Sequence, residues 1–278
     1  MSSQPAAYAS VPSDGVEPLA VETRVPGPNA IGATGGSGTR VVARIVREGG
    51  MFTGTHLNDY EDALPFGEYS DRWVNEFVRA AGGPAPPELL ARMRGDLDSL
   101  VRDHLADLPP SARVWGWKEP RSIYLVPFFD AAMPSLRFLH FIRDGRDMAF
   151  SENQNQLVKH GEALLGDDLR KAKTPVRSIA VWSRVNEAAA DYGESRLGER
   201  YLRVRFEDLC AQPGENVRRI YDFFGLDGDA EAAAAAVRPP DTLGRWRLRR
   251  KGIVDDLHRT AERALARFGY LEHPARPT

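Results

Sequence analysis

The stretch Ala30–Val46, AIGATGGSGTRVVARIV, decides the fold. A short apolar run reads as a strand over 29–33. A glycine-rich turn follows, and then an amphipathic run that reads as a helix over 38–49. Gly32, Gly35, Gly36 and Gly38 let the backbone turn tightly and approach a ligand closely. The helix start aims free N–H groups and the positive end of its dipole at the same point. Ser37 and Thr39 add hydroxyls and Arg40 adds a cation. An anion, above all a phosphate, suits such a turn. On this segment alone a plain strand–helix turn is also open. A nucleotide-hydrolysing loop needs Lys after its last glycine, and here Thr39 follows Gly38. The dinucleotide spacing G-x-G-x-x-G also fails. ATP hydrolysis and NAD chemistry both lose ground.

Outward from this loop, strand-like and helix-like runs alternate, which argues for an α/β fold with a central, mostly parallel sheet. Further strands are expected at 51–54, 112–117 and 136–144, and 200–209 reads as a strand running into a helical start. Helices are expected over 70–83, 86–110, 121–131, from 145 onward, 176–193, 214–226 and in the last thirty residues. The segment 57–71 reads as an acidic loop with short helical pieces. Residues 1–28, rich in Pro, Ser and Ala, are expected to form a disordered leader. A single domain then spans 29–272, with a short tail at 273–278.

Composition narrows the function. Of 278 residues 42% are apolar, enough for a core, and the formal net charge of −2 gives no global attraction to nucleic acid or membrane. The lone Cys210 rules out an internal disulfide framework and fits a cytoplasmic location. No apolar run approaches the roughly 20 residues of a membrane span.

A second motif, FIRDGRDMAFS at 141–151, puts Arg143 at the end of an apolar strand, where open α/β sheets bind ligands. Ser151 follows eight residues on, about two helical turns into the next element. A guanidinium and a hydroxyl there could share one phosphate, although Arg143 could equally pair with Asp144 or Asp147. Two further patterns are RFEDLCAQP at 205–213 and RRKGIVDDL at 249–257. A third, WGWKEPRS at 115–122, ends a strand on Lys118.

Taken together and in this order, the motifs resemble those of sulfotransferases that use 3′-phosphoadenosine 5′-phosphosulfate (PAPS). The resemblance runs from about Ala30 to Leu271. It implies the P-loop-like sulfotransferase architecture and transfer of a sulfonate to a hydroxyl or amine acceptor, with 3′-phosphoadenosine 5′-phosphate (PAP) as product and no metal. It implies that Gly35, Gly36, Ser37, Gly38, Thr39 and Arg40 hold the 5′-phosphosulfate. Arg143, Ser151, Arg250, Lys251 and Gly252 would grip the 3′-phosphate. Lys118 would lie near the transferring sulfonate. The family's loop carries Lys or Arg where this chain has Gly36, so Arg40 and Lys118 stand as replacement charge.

A general base should take the acceptor's proton. The loop GTHLNDYED offers His56, Asp59, Glu61 and Asp62. Histidine is the side-chain type best suited to proton transfer near neutrality, so His56 is either that base or a loop histidine without a role. Asp59 and Glu119 come next. His104 and His140 read as helix-surface and strand-packing residues, and His160 as a loop residue. Among the tryptophans, Trp246 in GRWR is the one expected to stack on a base. The acceptor class stays broad: a small molecule, a carbohydrate or a phenol, with neither nucleic acid nor membrane as partner and a homodimer left open. Two other readings remain, a non-catalytic phosphonucleotide binder and a P-loop-type kinase.

Overall fold

The computed structural model describes residues 8–167 and 169–271. Five parallel strands form one sheet in the order β2-β3-β1-β4-β5. They are β1 (Asn29–Gly32), β2 (Met51–Phe52), β3 (Val114–Lys118), β4 (Arg137–Ile142) and β5 (Tyr201–Arg205). Helices fill the crossovers: α1 (Thr39–Glu48), α2 (Leu64–Arg79), α3 (Pro87–Ala106), α4 (Val126–Ala132), α5 (Gly145–Ala149) and α6 (Asn155–Leu165). Then come α7 (Thr174–Tyr192), α8 (Phe206–Ala211), α9 (Pro213–Phe224), α10 (Ala230–Ala235) and α11 (Lys251–Arg267). The expected single-domain α/β architecture is the one present.

Strand periodicity sorts the core into two layers. Ala30, Trp115, Trp117 and Phe138 face one cluster with Phe66, Trp73 and Leu97 from α2 and α3. Ile31, Val114, Leu139 and Phe141 face the other, with Val42, Ile45 and Ile220 from α1 and α9. Both faces are covered, which is why the central strands are continuously apolar. Because all strands run the same way, their carboxyl ends meet at one edge. The β3-to-β4 connection crosses β1 there, and such a crossing opens a crevice.

Several expectations need correction. The leader is not disordered from Tyr8 onward. Ala9, Val16 and Leu19 are buried. Ser10 bridges to Pro84 and the Leu19 N–H donates to the Ala132 carbonyl at 2.8 Å. Backbone hydrogen bonds and the burial of scattered apolar side chains, Val16 and Leu19 among them, in the core hold it. Residues 1–7 and 272–278 lie outside the described residues. The acidic loop is shorter than expected, because α2 begins at Leu64 with Pro65 in its first turn. The helix expected over 121–131 is a 3₁₀ turn, Pro120–Tyr124, followed by α4. α6 and α10 were not anticipated. His160 sits in α6 and is buried rather than in a loop. His104 is a core residue of α3, 8% exposed.

His140 is the strand-packing residue expected, held by Tyr201 Oη and Asn186 Oδ1, each at 2.7 Å. Burial pulls His104, His140 and His160 each down to about 4. The unfolded chain therefore binds more protons than the native one between about pH 6.5 and 4, and stability is lost as pH falls through that window. Urea melts should show a loss on the order of 1–2 kcal/mol per histidine between pH 7 and 5. A His140→Asn variant, weaker at pH 7, should show a shallower slope. A flat profile from pH 7 to 5 would contradict the assignment.

Candidate active site

Loop 33–38 leaves β1 at the sheet's carboxyl edge and ends at the start of α1. Gly36 and Gly38 adopt φ of 84° and 81°, a left-handed conformation that only glycine takes cheaply. Both also lie against neighbours. A Cβ on Gly36 would stand 3.0 Å from Ser151 Oγ, and one on Gly38 would stand 3.0 Å from the Phe206 ring. The loop is therefore pressed between the β4 and β5 connections, and it leads directly into α1.

This loop forms one wall of a cleft of about 1000 Å³. Seven basic side chains line it (Arg40, Arg44, Arg121, Arg143, Lys159, Arg238 and Arg245) against three carboxylates, Glu48, Asp62 and Glu119. The excess is positive, so the cleft suits an anion.

Arg143 stands just past β4, 3% exposed. Its Nη2 donates to the Thr242 carbonyl at 2.6 Å and to Asp147 Oδ2 at 3.2 Å. Its guanidinium lies 5.1 Å above the Phe206 ring. Its Nε is buried and has no acceptor among the described residues. The Nε atoms of Arg177, Arg205 and Arg245 share that state, so it is burial together with a position on the cleft wall that sets Arg143 apart. Ser151 adjoins Gly36, but α5 ends at Ala149, so Ser151 lies beyond the helix rather than two turns within it.

The acidic residues of RDGRD build the scaffold. Asp147, 1% exposed, accepts from the Gly244 N–H at 2.7 Å and the Trp246 N–H at 3.2 Å as well as from Arg143. Asp144 caps α5 and pairs with Arg146 at 2.7 Å. Glu207 of the RFEDL motif accepts from the Asp144 N–H at 2.9 Å and from Tyr270 Oη at 3.0 Å. Burial pushes its carboxyl above the usual glutamate value.

Lys118 ends β3 with no exposure. Its Nζ donates to the Tyr60 carbonyl at 2.6 Å and forms an ion pair with Asp62. Burial draws the ammonium below the ordinary lysine value, while Asp62 opposes that shift. Asp62 lines the cleft and also accepts from Asn58 Nδ2 at 3.1 Å. Beside it, buried Glu119 accepts from Ser70 Oγ and Arg121 Nε, each at 2.9 Å. Burial raises the Glu119 carboxyl.

Gly35, Gly36, Gly38, Thr39, Arg40 and Arg143 thus converge on the cleft, with Lys118 in contact with its Asp62. Other expected residues do not converge. The Ser37 hydroxyl turns inward and donates to the Thr34 carbonyl at 2.6 Å. His56 and Asp59 are exposed and do not line the cleft; His56 belongs to a separate cavity. Arg250, Lys251 and Gly252 are exposed at the start of α11, and Lys251 pairs with Asp255 at 2.7 Å. The reason is Asp147. It pins residues 244–246, so residues 238–245 run along the cleft and the chain then turns away. Arg238 and Arg245 line the cleft, and Arg250 and Lys251 do not. Trp246 supports a guanidinium, that of Arg146 at 3.8 Å, and does not line the cleft. Sequence reading also missed Arg121 and Lys159, whose shared partner Asp71 is distant in the chain.

Residues 40–230 match the profile of the sulfotransferase family, and the chain belongs to that family. The matched span contains Lys118, Arg143, Ser151 and Glu207. A sulfotransferase from Mycobacterium avium aligns over 88% of this chain and 78% of its own, with 13% identity and a TM-score of 0.52. One from Alicyclobacillus acidocaldarius aligns over 88% and 97%, with 15% identity and a TM-score of 0.50. At these identities the likeness is one of fold. No curated protein matches the chain significantly. Among the described residues no helix is long and apolar enough to cross a membrane, and no cluster of His, Cys, Asp or Glu could hold a metal ion.

The loop's geometry makes a prediction about its missing lysine. Gly36→Lys should not improve the site. The left-handed φ and the contact with Ser151 should cost about 1–2 kcal/mol, read as a lowered melting temperature. An unchanged or raised melting temperature would mean that the loop tolerates the family's usual residue.

Proposed function

We propose that this protein transfers a sulfonate group from PAPS to a hydroxyl or amine of a small polar acceptor. The observation that carries this reading is Arg143: a buried guanidinium lining a basic cleft beside a glycine loop that opens a helix. When bound, PAPS supplies an activated sulfonate whose leaving group is already a phosphate.

The chain's own groups do the rest. The N–H groups of residues 35–40, with the Thr39 hydroxyl, hold the 5′-phosphate at the positive end of α1. Arg143 and Ser151 read the 3′-phosphate, with Arg245 and Arg238 adding charge. Arg40 faces the same anion from the first turn of α1. Lys118 offsets the negative charge that grows on the leaving oxygen. Asp62, which holds Lys118 and lines the cleft, takes the acceptor's proton in place of His56 or Asp59. The pairing gives both groups a fixed geometry before the acceptor arrives. Asn58, Asn153, Asn155, Gln156 and Lys159 line the cleft, while Tyr60 and Phe206 are the aromatic rings among its lining residues. That lining suits a hydroxylated, carbohydrate-like acceptor better than a flat phenol.

Calorimetry with PAP, AMP and ATP tests the nucleotide reading. PAP should bind at least tenfold tighter than AMP, and Arg143→Ala should erase about 10–100-fold of that preference. Equal affinity for PAP and AMP would overturn it. With PAPS and an acceptor panel, Lys118→Met should lower kcat by about 10²-fold, and Asp62→Asn by about 10²-fold or more, with PAP affinity retained. Tight PAP binding with no turnover on any acceptor would instead mark a non-catalytic binder.

A further inference from the structure

A second cavity, of about 560 Å³, shares no lining residue with the cleft. It lies beyond the end of β2, between the strap of residues 54–63 and helices α2 and α3. Its size falls within the range of small-ligand sites. Ala63, Pro65, Tyr69 and Leu100 supply apolar wall, and four carboxylates, Glu68, Asp96, Asp103 and Asp107, supply charge. Asp96 is matched by Arg72 at 2.8 Å, and Asp107 accepts from Thr55 Oγ1 at 2.5 Å. Glu68 and Asp103 have no cationic partner among the described residues.

The decisive group is His104. Its side chain is clamped between Phe52 and Phe66, with ring centroids at 4.9 and 5.3 Å. Its Nε2 lies 3.0 Å from the Gly116 carbonyl oxygen. A carbonyl can only accept, so Nε2 carries the hydrogen. Burial keeps the ring neutral near pH 7. Nδ1 is then a bare lone pair, with no donor among the described residues. The Cε1–Nδ1 edge faces Gly54, a residue of the same cavity wall. A Cβ at Gly54 would lie 3.1 Å from Cε1 and 3.4 Å from Nδ1. A residue 8% exposed thus turns an unmet acceptor toward a cavity whose remaining charge is mostly negative.

We propose that this cavity is a binding site for an organic ammonium ion with an apolar body, its N–H groups donating to His104 Nδ1 and to the free carboxylates. A metal ion is a poor alternative, because no three ligating groups among the described residues gather closely enough. The site stands apart from the sulfonate-transfer reading and does not depend on it. His56, the histidine that sequence reading placed in catalysis, is a wall residue here. The strap between the two sites carries Asp62 on its cleft side. Its Ala63 N–H donates to the Lys118 carbonyl at 2.8 Å.

The test is calorimetric titration of the full chain with phenethylamine, and with 2-phenylethanol as a neutral probe of similar shape. The amine should bind saturably and about tenfold or more tighter than the alcohol. Glu68→Gln combined with Asp103→Asn, both on exposed side chains, should weaken the amine about fivefold while leaving PAP affinity unchanged. Leu100→Trp, which fills the cavity, should abolish amine binding. Equal binding of amine and alcohol, no saturable amine binding, or amine affinity unchanged in the double variant would each overturn the proposal. The double variant removes no packing, so the test does not rest on Leu100→Trp folding.

Discussion

The carboxylate of Asp147 holds the candidate site together. It is buried, and a buried charge is costly unless it is paired and hydrogen-bonded. Here it meets one guanidinium and two backbone N–H groups, from Arg143, Gly244 and Trp246. Those three partners come from two segments about a hundred residues apart. Their convergence fixes where the chain after α10 passes over the sheet edge. Remove that acceptor and Arg143 loses its orientation while residues 238–245 lose their path, so the cleft loses one side. Asp144 and Glu207 repeat the device a turn away, joining the ends of β4 and β5.

The sequence was informative wherever a local rule coincided with the final structure. The strand–glycine–helix order of residues 30–46, the buried strand before Arg143 and the strand-end position of Lys118 all follow from periodicity and chain punctuation. They place the cleft correctly because parallel strands carry their carboxyl ends to one edge. Long-range pairing was not legible. Nothing local says that Lys118 meets Asp62, that Ser37 turns its hydroxyl inward, or that Asp147 steers Arg245 into the cleft and Arg250 away. His104 misled for the same reason. On a helix read alone it faces either way, and only the aromatic nest of Phe52 and Phe66 decides. The leader misled in the opposite sense, since backbone hydrogen bonds from Ser10 and Leu19 and a few scattered buried side chains order it without an apolar run.

The glycine at position 36 joins the two kinds of information. Sequence comparison with the family's pattern marks it as a missing cation. Structure gives the missing side chain a physical cause, because the peptide there takes a left-handed turn against Ser151. The glycine loop and the residues after α5 are thus packed on each other, and the loop's shape and the Ser151 position constrain one another directly. A substitution at either place is felt at the other, which is the condition under which single-site effects stop being additive.

With no cation in the loop itself, the cleft's positive charge is spread outward. Arg40, Arg44, Lys159 and Arg238 are exposed along its rim, while Arg143 is the deeply buried guanidinium. Rim charges act at a distance through water and are screened by salt, whereas a buried one acts mainly on contact. The division separates two kinetic quantities. Ionic strength governs how fast an anion is drawn into the cleft, and the shielded guanidinium governs how long it stays.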